Sequence, residues 1–451
     1  MPISPARVAA FDILLRVERE SSYASELLHA PEAARLSHAD HSLATELVMG
    51  VLRWRALLDD RIGRQSSRPL AKLDLEVITA LRLAAYQMAW LTRIPVRAAI
   101  HESVELVKRA RKRSSAPFVN AILRKLAQQA PTRAQTEQLA SLTEVARELS
   151  HPQWLVERWN KEYGLDATFN ICRQDQAIPT TSIRLYDAAA EVQLVTEGIE
   201  LAPGSLLRSA RRVLSGDVTG AAAFRDALVS IQDEASQLVA TLVQGGTRIL
   251  DCCAAPGGKT RVIAQRTPGA TVAALEVHPH RARLLQKMLY AGNAGPKSSS
   301  QQIQIVAADA RNLPFTAHFD RILVDVPCSG TGTLSRHPEI KWRLTPKDMT
   351  GLHELQCGIL RSAMAQIAPG GRLIYSTCSL EREENESVVE KIMAEVQSLR
   401  IVDCRLELER LRREGELTWP NSIALTRGPF LRTVPGVHPC DGFFAAILEK
   451  S

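Results

Sequence analysis

The sequence contains no long apolar run. Nowhere in its 451 residues do about 18 consecutive apolar side chains occur, which is the length that a membrane-spanning helix requires. The N-terminal segment also carries Arg7, Asp12 and Arg16, where a secretory signal would be apolar. These absences argue against a membrane partner and against export. They predict a protein of the cytoplasm.

Cysteine is scarce as well, and no two cysteines have the C-x-x-C spacing. The chain has 8 cysteines, of which Cys252 and Cys253 are adjacent. Disulfide frameworks are typical of short, cysteine-rich secreted chains, and structural zinc sites are typical of cysteines paired at short spacing. The sequence therefore predicts reduced thiols and no metal site.

The remaining composition is that of an ordinary globular protein. Apolar residues make up 45% and charged residues 23%, both close to the usual averages, so neither disorder nor a fibrous repeat is indicated. A chain of this length exceeds one hydrophobic core and predicts two or three domains. The net charge of +7 favours a polyanionic partner such as nucleic acid without requiring one.

The N-terminal part of the chain has the apolar spacing of helices. Val8, Phe11 and Leu15 recur at intervals of three and four residues, and the serine–proline pair at Ser4 is typical of a helix start. We predict an all-helical domain over residues 1–130.

The end of this domain contains a basic cluster and two distinctive segments. Five cations lie between Lys108 and Arg113, which suits either a solvated helix end or contacts with RNA phosphates. The stretch from Ala99 to Lys108 and the stretch from Pro117 to Leu126 resemble the NusB family of helical RNA-binding domains. The resemblance implies an RNA partner.

Two further regions follow a polar connector, which we place at residues 127–149. Short apolar segments between Thr180 and Ser215 alternate with turn residues and predict a small α+β RNA-binding region over residues 145–235. From Thr247 onward the pattern becomes strand, glycine turn, helix and strand. This order predicts an α/β Rossmann-like domain with a parallel sheet over residues 236–451.

The first strand of that domain runs into a glycine-rich turn. Arg248 to Asp251 has the pattern of a buried strand, and a helical pattern follows from Val262. Ligands bind at the carboxyl ends of parallel strands, because backbone amides there are unpaired and glycine allows close approach. The turn supplies these candidate cofactor-binding residues: Cys253, Ala254, Ala255, Pro256, Gly257, Gly258 and Lys259.

Two other types of nucleotide-binding loop fit the turn less well. Gly258-Lys259-Thr260 mimics the end of a triphosphate-binding loop, but that loop needs a glycine where Cys253 stands. A dinucleotide-binding turn needs G-x-G-x-x-G to surround the pyrophosphate with amides, and the turn lacks this pattern.

Two carboxylates follow later strands of the same predicted sheet. The strand from Thr271 to Leu275 ends in Glu276, and the strand from Gln304 to Ala307 is followed by Asp309. Glu276 is placed to hydrogen-bond a ribose, and Asp309 to contact an adenine edge. Each acid alone is equally typical of an exposed strand end, whereas carboxylates at successive strand ends indicate a shared crevice.

Two cysteines also come directly after predicted strands. Asp325 and Cys328 follow a fourth strand, and Cys378 follows a fifth. Isolated cysteines are usually core residues, but these two share one edge of one sheet and polar loops. A common reaction centre with a thiol nucleophile is therefore predicted. Which of the two thiols attacks is not determined by the residues themselves.

Three segments carry a resemblance to a known family. Asp251–Thr260, Asp325–Gly332 and Thr377–Ser379 resemble the motifs of the NOL1/NOP2/Sun family of RNA cytosine-C5 methyltransferases. Gln232–Gln237 and Asp441–Phe444 extend the match. Together with the NusB-like domain, the resemblance spans the chain and points to the members that modify 16S ribosomal RNA.

The resemblance implies S-adenosyl-L-methionine as the cofactor and a role for each candidate residue. It implies that Cys378 attacks carbon 6 of the cytosine and that Cys328 assists proton removal and product release. It implies cofactor contacts for the turn from Cys253 to Lys259, for Glu276, for Asp309 and for Asp325. Lys259 and Asp325 are also implied to help hold the target base.

The sequence departs from the family pattern in two places. Members often have aspartate where Glu276 stands, which keeps the carboxylate on a longer side chain. The loop from Gly292 to Ser300 is longer than the pattern predicts.

Two alternative functions share parts of this pattern. A transfer-RNA cytosine methyltransferase of the same family would carry the same motifs, although the NusB-like domain argues against it. A non-catalytic RNA-binding ribosome assembly factor would keep the fold, although it has no use for two cysteines and a complete cofactor turn. We expect 16S ribosomal RNA, free or in an early assembly intermediate, as the partner and no obligate protein partner.

Overall fold

Helices form the first part of the chain. A computed structural model describes residues 3–129, 141–290 and 302–451, so the predicted loop from Gly292 to Ser300 and part of the predicted connector lie outside the described residues. The chain divides into two compact units, one of residues 1–178 with 334–344 and one of residues 179–333 with 345–451. The helices of the first unit are α1 Pro5–Glu20, α2 Ala24–Leu28, α3 His38–Arg53, α4 Arg55–Gln65, α5 Leu75–Trp90, α6 Val96–Arg109, α7 Ala116–Ala127, α8 Leu142–Glu148, α9 Gln153–Tyr163 and α10 Leu165–Asp175.

The first helix shows how local sequence fixes these elements. Helix α1 begins where Ser4 Oγ accepts a hydrogen bond from Arg7 N at 3.4 Å, and proline occupies its first position. Phe11 and Leu14 on its buried face pack into the core of the unit with Leu81 of α5. The predicted all-helical N-terminal domain is confirmed.

A distant segment completes the helical unit. Residues 334–344, which include the short helix α16 (Ile340–Arg343), belong to it although they follow the Cys328 loop in sequence. Lys341 Nζ donates hydrogen bonds to the carbonyls of Arg53 at 3.1 Å and Ser150 at 3.0 Å. Nothing in the local pattern of this segment predicts that placement.

The predicted α+β region of residues 145–235 is divided in the structure. Helices α8 to α10 belong to the helical unit, because Ser150 Oγ accepts from Ala56 N at 2.9 Å and Gln176 Nε2 donates to Arg53 O at 3.0 Å. The rest forms a four-stranded antiparallel sheet of order β2-β3-β1-β4 in the second unit. Its strands and helices are β1 Thr181–Leu185, α11 Ala189–Thr196, β2 Glu200–Pro203, β3 Ala210–Ser215, α12 Ala222–Arg225 and β4 Val229–Ile231.

A larger mixed sheet forms the centre of the second unit. Its order is β11-β12-β13-β9-β8-β5-β6-β7, with β10 paired to β13. The run β9-β8-β5-β6-β7 is parallel and the strands beyond β9 are antiparallel. Its elements are α13 Glu234–Leu242, β5 Arg248–Asp251, α14 Gly258–Arg266, β6 Thr271–Glu276, α15 Pro279–Tyr290, β7 Gln302–Ala307, β8 Phe319–Asp325, α17 Asp348–Gln366, β9 Ile367–Thr377, α18 Glu386–Glu395, β10 Leu399–Val402, α19 Cys404–Arg413, β11 Thr426–Arg427, β12 Phe430–Thr433 and β13 Phe443–Lys450.

Alternate residues of each strand enter different cores. Ile249 of β5 and Leu323 of β8 pack with α13, α14 and α19, whereas Leu250 and Ile322 pack with α17 and α18. This period of two places helices on both faces of the sheet. The predicted Rossmann-like fold is confirmed, with an antiparallel extension that the sequence analysis did not foresee.

The strand order fixes where a ligand crevice forms. Strands β6 and β7 continue from β5 in one direction, and β8 and β9 continue from it in the other. In open α/β sheets the crevice lies outside the carboxyl ends of the strands at such a reversal. The loops after β5 and β8, which carry Cys253 and Cys328, flank this point.

Candidate active site

The glycine turn after β5 is tightly packed. Gly257 has a φ of +117°, and a Cβ there would stand 2.8 Å from Leu285 Cδ1 of α15, so both the backbone conformation and the packing require glycine. Thr260 Oγ1 donates to Asp251 Oδ2 at 2.7 Å. Burial raises the pKa of Asp251 to about 6, although this hydrogen bond opposes the shift.

The structure brings several predicted cofactor residues together. Burial raises the pKa of the Cys253 thiol, and the carboxylates of Asp251, Asp325 and Glu276 add to the shift. Glu276, the last residue of β6, accepts a hydrogen bond from His278 N at 2.9 Å. The turn and Glu276 therefore share one electrostatic environment.

Asp309 has a different environment. It lies two residues after β7 and forms an ion pair with Arg311, with 2.6 Å between Oδ2 and Nη2. The hydrogen bond from the Arg311 side chain lowers the pKa of Asp309. A ligand at Asp309 would have to share this carboxylate with Arg311.

Two cysteines meet at the ends of neighbouring strands. Strands β8 and β9 are parallel partners, Cys378 is the first residue after β9, and Cys328 is the third residue after β8. The two sulfur atoms are 3.2 Å apart, and both side chains are half-buried. The hydrogen bond with Cys378, followed by desolvation, raises the pKa of Cys328, so Cys328 keeps its proton at neutral pH.

A lysine–aspartate pair lies beside the thiols. Lys259 Nζ and Asp325 Oδ2 are 2.7 Å apart, and Ser376 Oγ donates to Asp325 Oδ1 at 2.7 Å. Burial alone lowers the pKa of Lys259, but Asp325 and the neighbouring Cys378 outweigh it and leave the pKa above its ordinary value. Lys259 is therefore a fixed cation beside Cys378.

A polar network next to the cysteines was missed by the sequence analysis. Ser329 follows Cys328, Ser379 follows Cys378, and both serines contact the buried carboxylate of Glu384. The repeated Cys-Ser pair was the available sequence signal. A glutamate that stands six residues after Cys378 gives no local sign of its partners.

The basic cluster at the end of α6 is largely paired. Lys108 lies 2.7 Å from Glu105, Arg109 lies 2.8 Å from Asp12, and Lys112 lies 3.2 Å from Asp74. These are surface pairs, so the cations keep solvent access. Both interpretations of the cluster stay open.

The described residues contain neither a candidate metal site nor a candidate membrane-spanning helix. In residues 3–129, 141–290 and 302–451, no three or more His, Cys, Asp or Glu side chains are grouped to hold a metal ion. Within the same ranges, no helix combines the length and the apolarity needed to cross a membrane.

Comparison with known proteins identifies the family. The family described as 16S rRNA methyltransferase RsmB/F matches residues 239–449, and the NusB family matches residues 4–128. A probable ribosomal RNA small subunit methyltransferase B from Bacillus subtilis is 34% identical over 463 aligned residues, covering 100% of both chains. The chain belongs to the RsmB/F family. The predicted membership of the NOL1/NOP2/Sun family, on the Sun (RsmB) branch, is confirmed.

Two other similar proteins cover most of this RsmB/F-family chain. A ribosomal RNA small subunit methyltransferase B from Vibrio vulnificus is 30% identical and covers 98% of this chain and 99% of its own. A methyltransferase homologue from Pyrococcus horikoshii has a TM-score of 0.57 at 22% identity, covering 70% of this chain and 100% of its own. The latter similarity supports the fold. The RsmB/F match contains both Cys328 and Cys378.

Proposed function

We propose that the protein methylates carbon 5 of a cytosine in 16S ribosomal RNA through a covalent bond between Cys378 and the base. The observation that carries this proposal is the pair of sulfur atoms 3.2 Å apart at the ends of β8 and β9, beside the Lys259–Asp325 pair. A methyltransferase that acts on a nucleophilic nitrogen or oxygen has no use for two adjacent thiols.

The chemistry of the substrate explains the need for a thiol. Carbon 5 of cytosine is too weak a nucleophile to take a methyl group directly. The Cys378 thiolate attacks carbon 6, forms the S–C6 bond and moves the C5=C6 electron pair into an enamine that is nucleophilic at carbon 5. After carbon 5 has gained its methyl group and lost its proton to a base, the S–C6 bond breaks. The C5=C6 double bond and the thiolate are then restored.

The turn after β5 fits the binding of S-adenosyl-L-methionine. Gly257 brings the backbone close to α15, Glu276 ends the neighbouring strand, and Asp325 faces the same environment. We assign cofactor contacts to the turn from Cys253 to Lys259, to these two acids and to Asp309. When bound, S-adenosyl-L-methionine supplies an electrophilic methyl group on a sulfonium sulfur that keeps the electron pair of the broken bond.

Lys259 and Asp325 have electrostatic roles in this proposal. The ammonium group of Lys259 interacts with Cys378 and stabilises negative charge that develops at the reacting atoms. We assign Asp325, which is held by Lys259 and by Ser376, to accept a hydrogen bond from the exocyclic amino group of the cytosine. Holding the cytosine in place also keeps its carbon 6 within attacking distance of the Cys378 sulfur.

Cys328 is assigned to product release. Its raised pKa keeps it protonated next to Cys378, so it donates to the neighbouring sulfur and does not compete as a nucleophile. Once Cys378 is bonded to the base, its sulfur carries no negative charge and Cys328 loses this hydrogen-bond partner. Without that partner the Cys328 thiol can release its proton, and the resulting thiolate accepts the proton of carbon 5 as the S–C6 bond breaks and Cys378 departs.

The RNA substrate is supported by the relatives and by the helical unit. The relative from Bacillus subtilis is described as a probable ribosomal RNA small subunit methyltransferase B and the one from Vibrio vulnificus as a ribosomal RNA small subunit methyltransferase B, and residues 4–128 match the NusB family. We propose that the substrate is 16S ribosomal RNA and that the protein acts in the cytoplasm without an obligate protein partner. Fold similarity alone would not support this substrate.

The experiment that tests the proposal follows labelled methyl groups from S-adenosyl-L-methionine into unmodified 16S ribosomal RNA, with transfer RNA as a competing substrate. We compare wild type, Cys378→Ala, Cys328→Ala and Cys357→Ala. Cys357 is a buried cysteine of α17, so its variant controls for the loss of a thiol elsewhere in the same unit.

The expected results differ for each variant. Wild type and Cys357→Ala should methylate 16S ribosomal RNA at carbon 5, Cys378→Ala should not, and Cys328→Ala should accumulate a covalent protein–RNA adduct. If Cys378→Ala methylates and Cys328→Ala does not, the nucleophile is Cys328. Methylation of transfer RNA alone would replace the substrate, and no methylation of any RNA would favour an assembly factor.

A further inference from the structure

We infer that Glu384 is a positioning residue that holds both reactive cysteines at their working distance. Its carboxylate fastens the two loops that carry Cys328 and Cys378, and it does so from a buried place beneath them. The inference rests on the proposed function for its catalytic meaning. The structural part, that one side chain fixes the separation of two sulfur atoms, can be tested without RNA.

The contacts of Glu384 are directed at the residue after each cysteine. Oε1 accepts hydrogen bonds from Ser329 N at 2.8 Å and from Gln356 Nε2 at 2.9 Å. Oε2 accepts from Ser379 Oγ at 2.5 Å and from Ser329 Oγ. Ser329 directly follows Cys328 and Ser379 directly follows Cys378. One carboxylate therefore binds both loops, in each case at the residue that follows the cysteine.

The two loops are also joined to each other around this carboxylate. Ser329 Oγ and Ser379 Oγ are 3.0 Å apart. Gly332 N donates to Cys378 O at 2.9 Å. Gln356 Nε2 reaches Pro327 O at 2.9 Å as well as Glu384, so the loop is fixed on both sides of Cys328.

Burial makes this network rigid. Glu384 is fully buried, and a carboxylate out of water is costly unless donors replace its hydration. Its oxygens accept four hydrogen bonds, and bonds to a charged acceptor are shorter and stronger than neutral ones. Any arrangement of the loops that gives up one of these bonds is disfavoured, so the network selects a single arrangement.

Glu384 acts through the cysteines and not on the substrate. No part of its side chain is exposed, and donors of the protein occupy both of its oxygens. A direct role as general base is therefore excluded by access. The effect of Glu384 is therefore measured through the reactivity of Cys328 and Cys378.

The first test measures the thiol pair alone. Diamide oxidises two neighbouring thiols to a disulfide, taking up their two electrons and two protons as its azo group becomes a hydrazine. Mass spectrometry of linked peptides measures the rate at which the Cys328–Cys378 disulfide forms. The rate is compared in wild type, Glu384→Ala, Glu384→Gln and Ser379→Ala. Since misplacement by about 1 Å can cost about 100-fold in a proximity-dependent reaction, we expect about that loss for Glu384→Ala.

The milder variants keep the test informative if Glu384→Ala folds poorly. Glutamine can present its oxygen to the two N–H donors and its amide to the two hydroxyls, so Glu384→Gln should retain most of the rate. Ser379→Ala removes one hydroxyl and should give an intermediate rate. The matched control is Glu234→Gln. Glu234 is a buried glutamate of the same unit that accepts from Ser205 N, Leu206 N and Leu207 N, and its variant should oxidise as wild type does.

A second readout separates positioning from stability. In the methylation assay, Glu384→Ala should lower kcat while KM for RNA stays unchanged, and Glu384→Gln should restore kcat. The inference would be overturned if folded Glu384→Ala and Ser379→Ala both oxidise at the wild-type rate and keep the wild-type kcat. The proposed function would then remain intact. If Glu384→Ala slows disulfide formation but the wild-type protein methylates no RNA, the positioning role of Glu384 would stand and the proposed function would be rejected.

Discussion

Two buried polar clusters of this protein use the same side-chain types with different results. In the second unit, Lys259, Asp325 and Cys378 meet at strand ends, and the lysine and aspartate side chains stay 16% and 21% exposed. In the helical unit, Lys341 lies near Asp175 and Cys172, and all three are at most 1% exposed. Residue types alone therefore do not identify a site; access to solvent and position on the fold do.

The charge states of the two lysines show the physical difference. Lys259 contacts a carboxylate at 2.7 Å, and its pKa ends above the ordinary value in spite of burial. Lys341 donates to the neutral carbonyls of Arg53 and Ser150, and burial lowers its pKa to about 7. The first is a stable cation facing a crevice, and the second is a buried amine that ties helices together.

Of the two lysines, Lys259 should show the larger effect when it is replaced. Lys259→Met removes the cation beside Asp325 and Cys378, so methyl transfer should fall by about 100-fold to about 1000-fold, with little change in stability. The matched control is Lys450→Met, because Lys450 donates to the carbonyl of Ile367, the first residue of β9, at the end of the strand opposite to Cys378. Full activity of Lys259→Met in the labelled-methyl assay would remove Lys259 from the site.

The next effect is expected at Lys341, in stability. At pH 9 Lys341→Met deprives two buried carbonyls of their donor, which should lower the free energy of unfolding by about 3 kcal/mol. Urea denaturation monitored by tryptophan fluorescence measures this change. A variant as stable as wild type would show that the two hydrogen bonds contribute nothing.

The pH dependence of stability sharpens the same contrast. Folding lowers the pKa of Lys341 from 10.5 to about 7, so between these values the unfolded chain binds more protons than the folded one. The free energy of unfolding should therefore rise with pH from 7 towards 10, by at most about 1.4 kcal/mol per pH unit from this group. Lys341→Met should lack this part of the rise. Parallel pH profiles of the two proteins would contradict the assignment.

The elements that carry the site could be predicted because their signals are local. The strand from Arg248 to Asp251, the turn that follows it, and Cys328 and Cys378 beyond later strands each stand in a short pattern. Parallel strands then bring their carboxyl ends to one edge. The order of strand, glycine turn, helix and strand from Thr247 onward also predicts the layers of the fold.

The remaining features depend on contacts between distant residues. The placement of residues 334–344 in the helical unit rests on Lys341 reaching Arg53 and Ser150, which no period or spacing encodes. Glu384 reaches Ser329 across 55 residues of sequence. The pairing of Asp309 with Arg311 is local, but the competition it creates for a ligand is visible only in the folded protein.

The smallest predicted change in stability comes from Cys172→Ala, and the same substitution at Cys378 completes the comparison of the two clusters. Cys172→Ala removes a fully buried sulfur from the helical unit and leaves a small cavity, so it should cost about 1 kcal/mol of stability. It should leave methyl transfer unchanged, whereas Cys378→Ala should abolish transfer at little cost in stability, because Cys378 is half-buried at a loop. Denaturation and methyl transfer measured on both variants separate a packing thiol from a reacting one. If Cys172→Ala and Cys378→Ala lost activity equally, both cysteines would act mainly through folding. Access to the crevice would then no longer distinguish the two clusters.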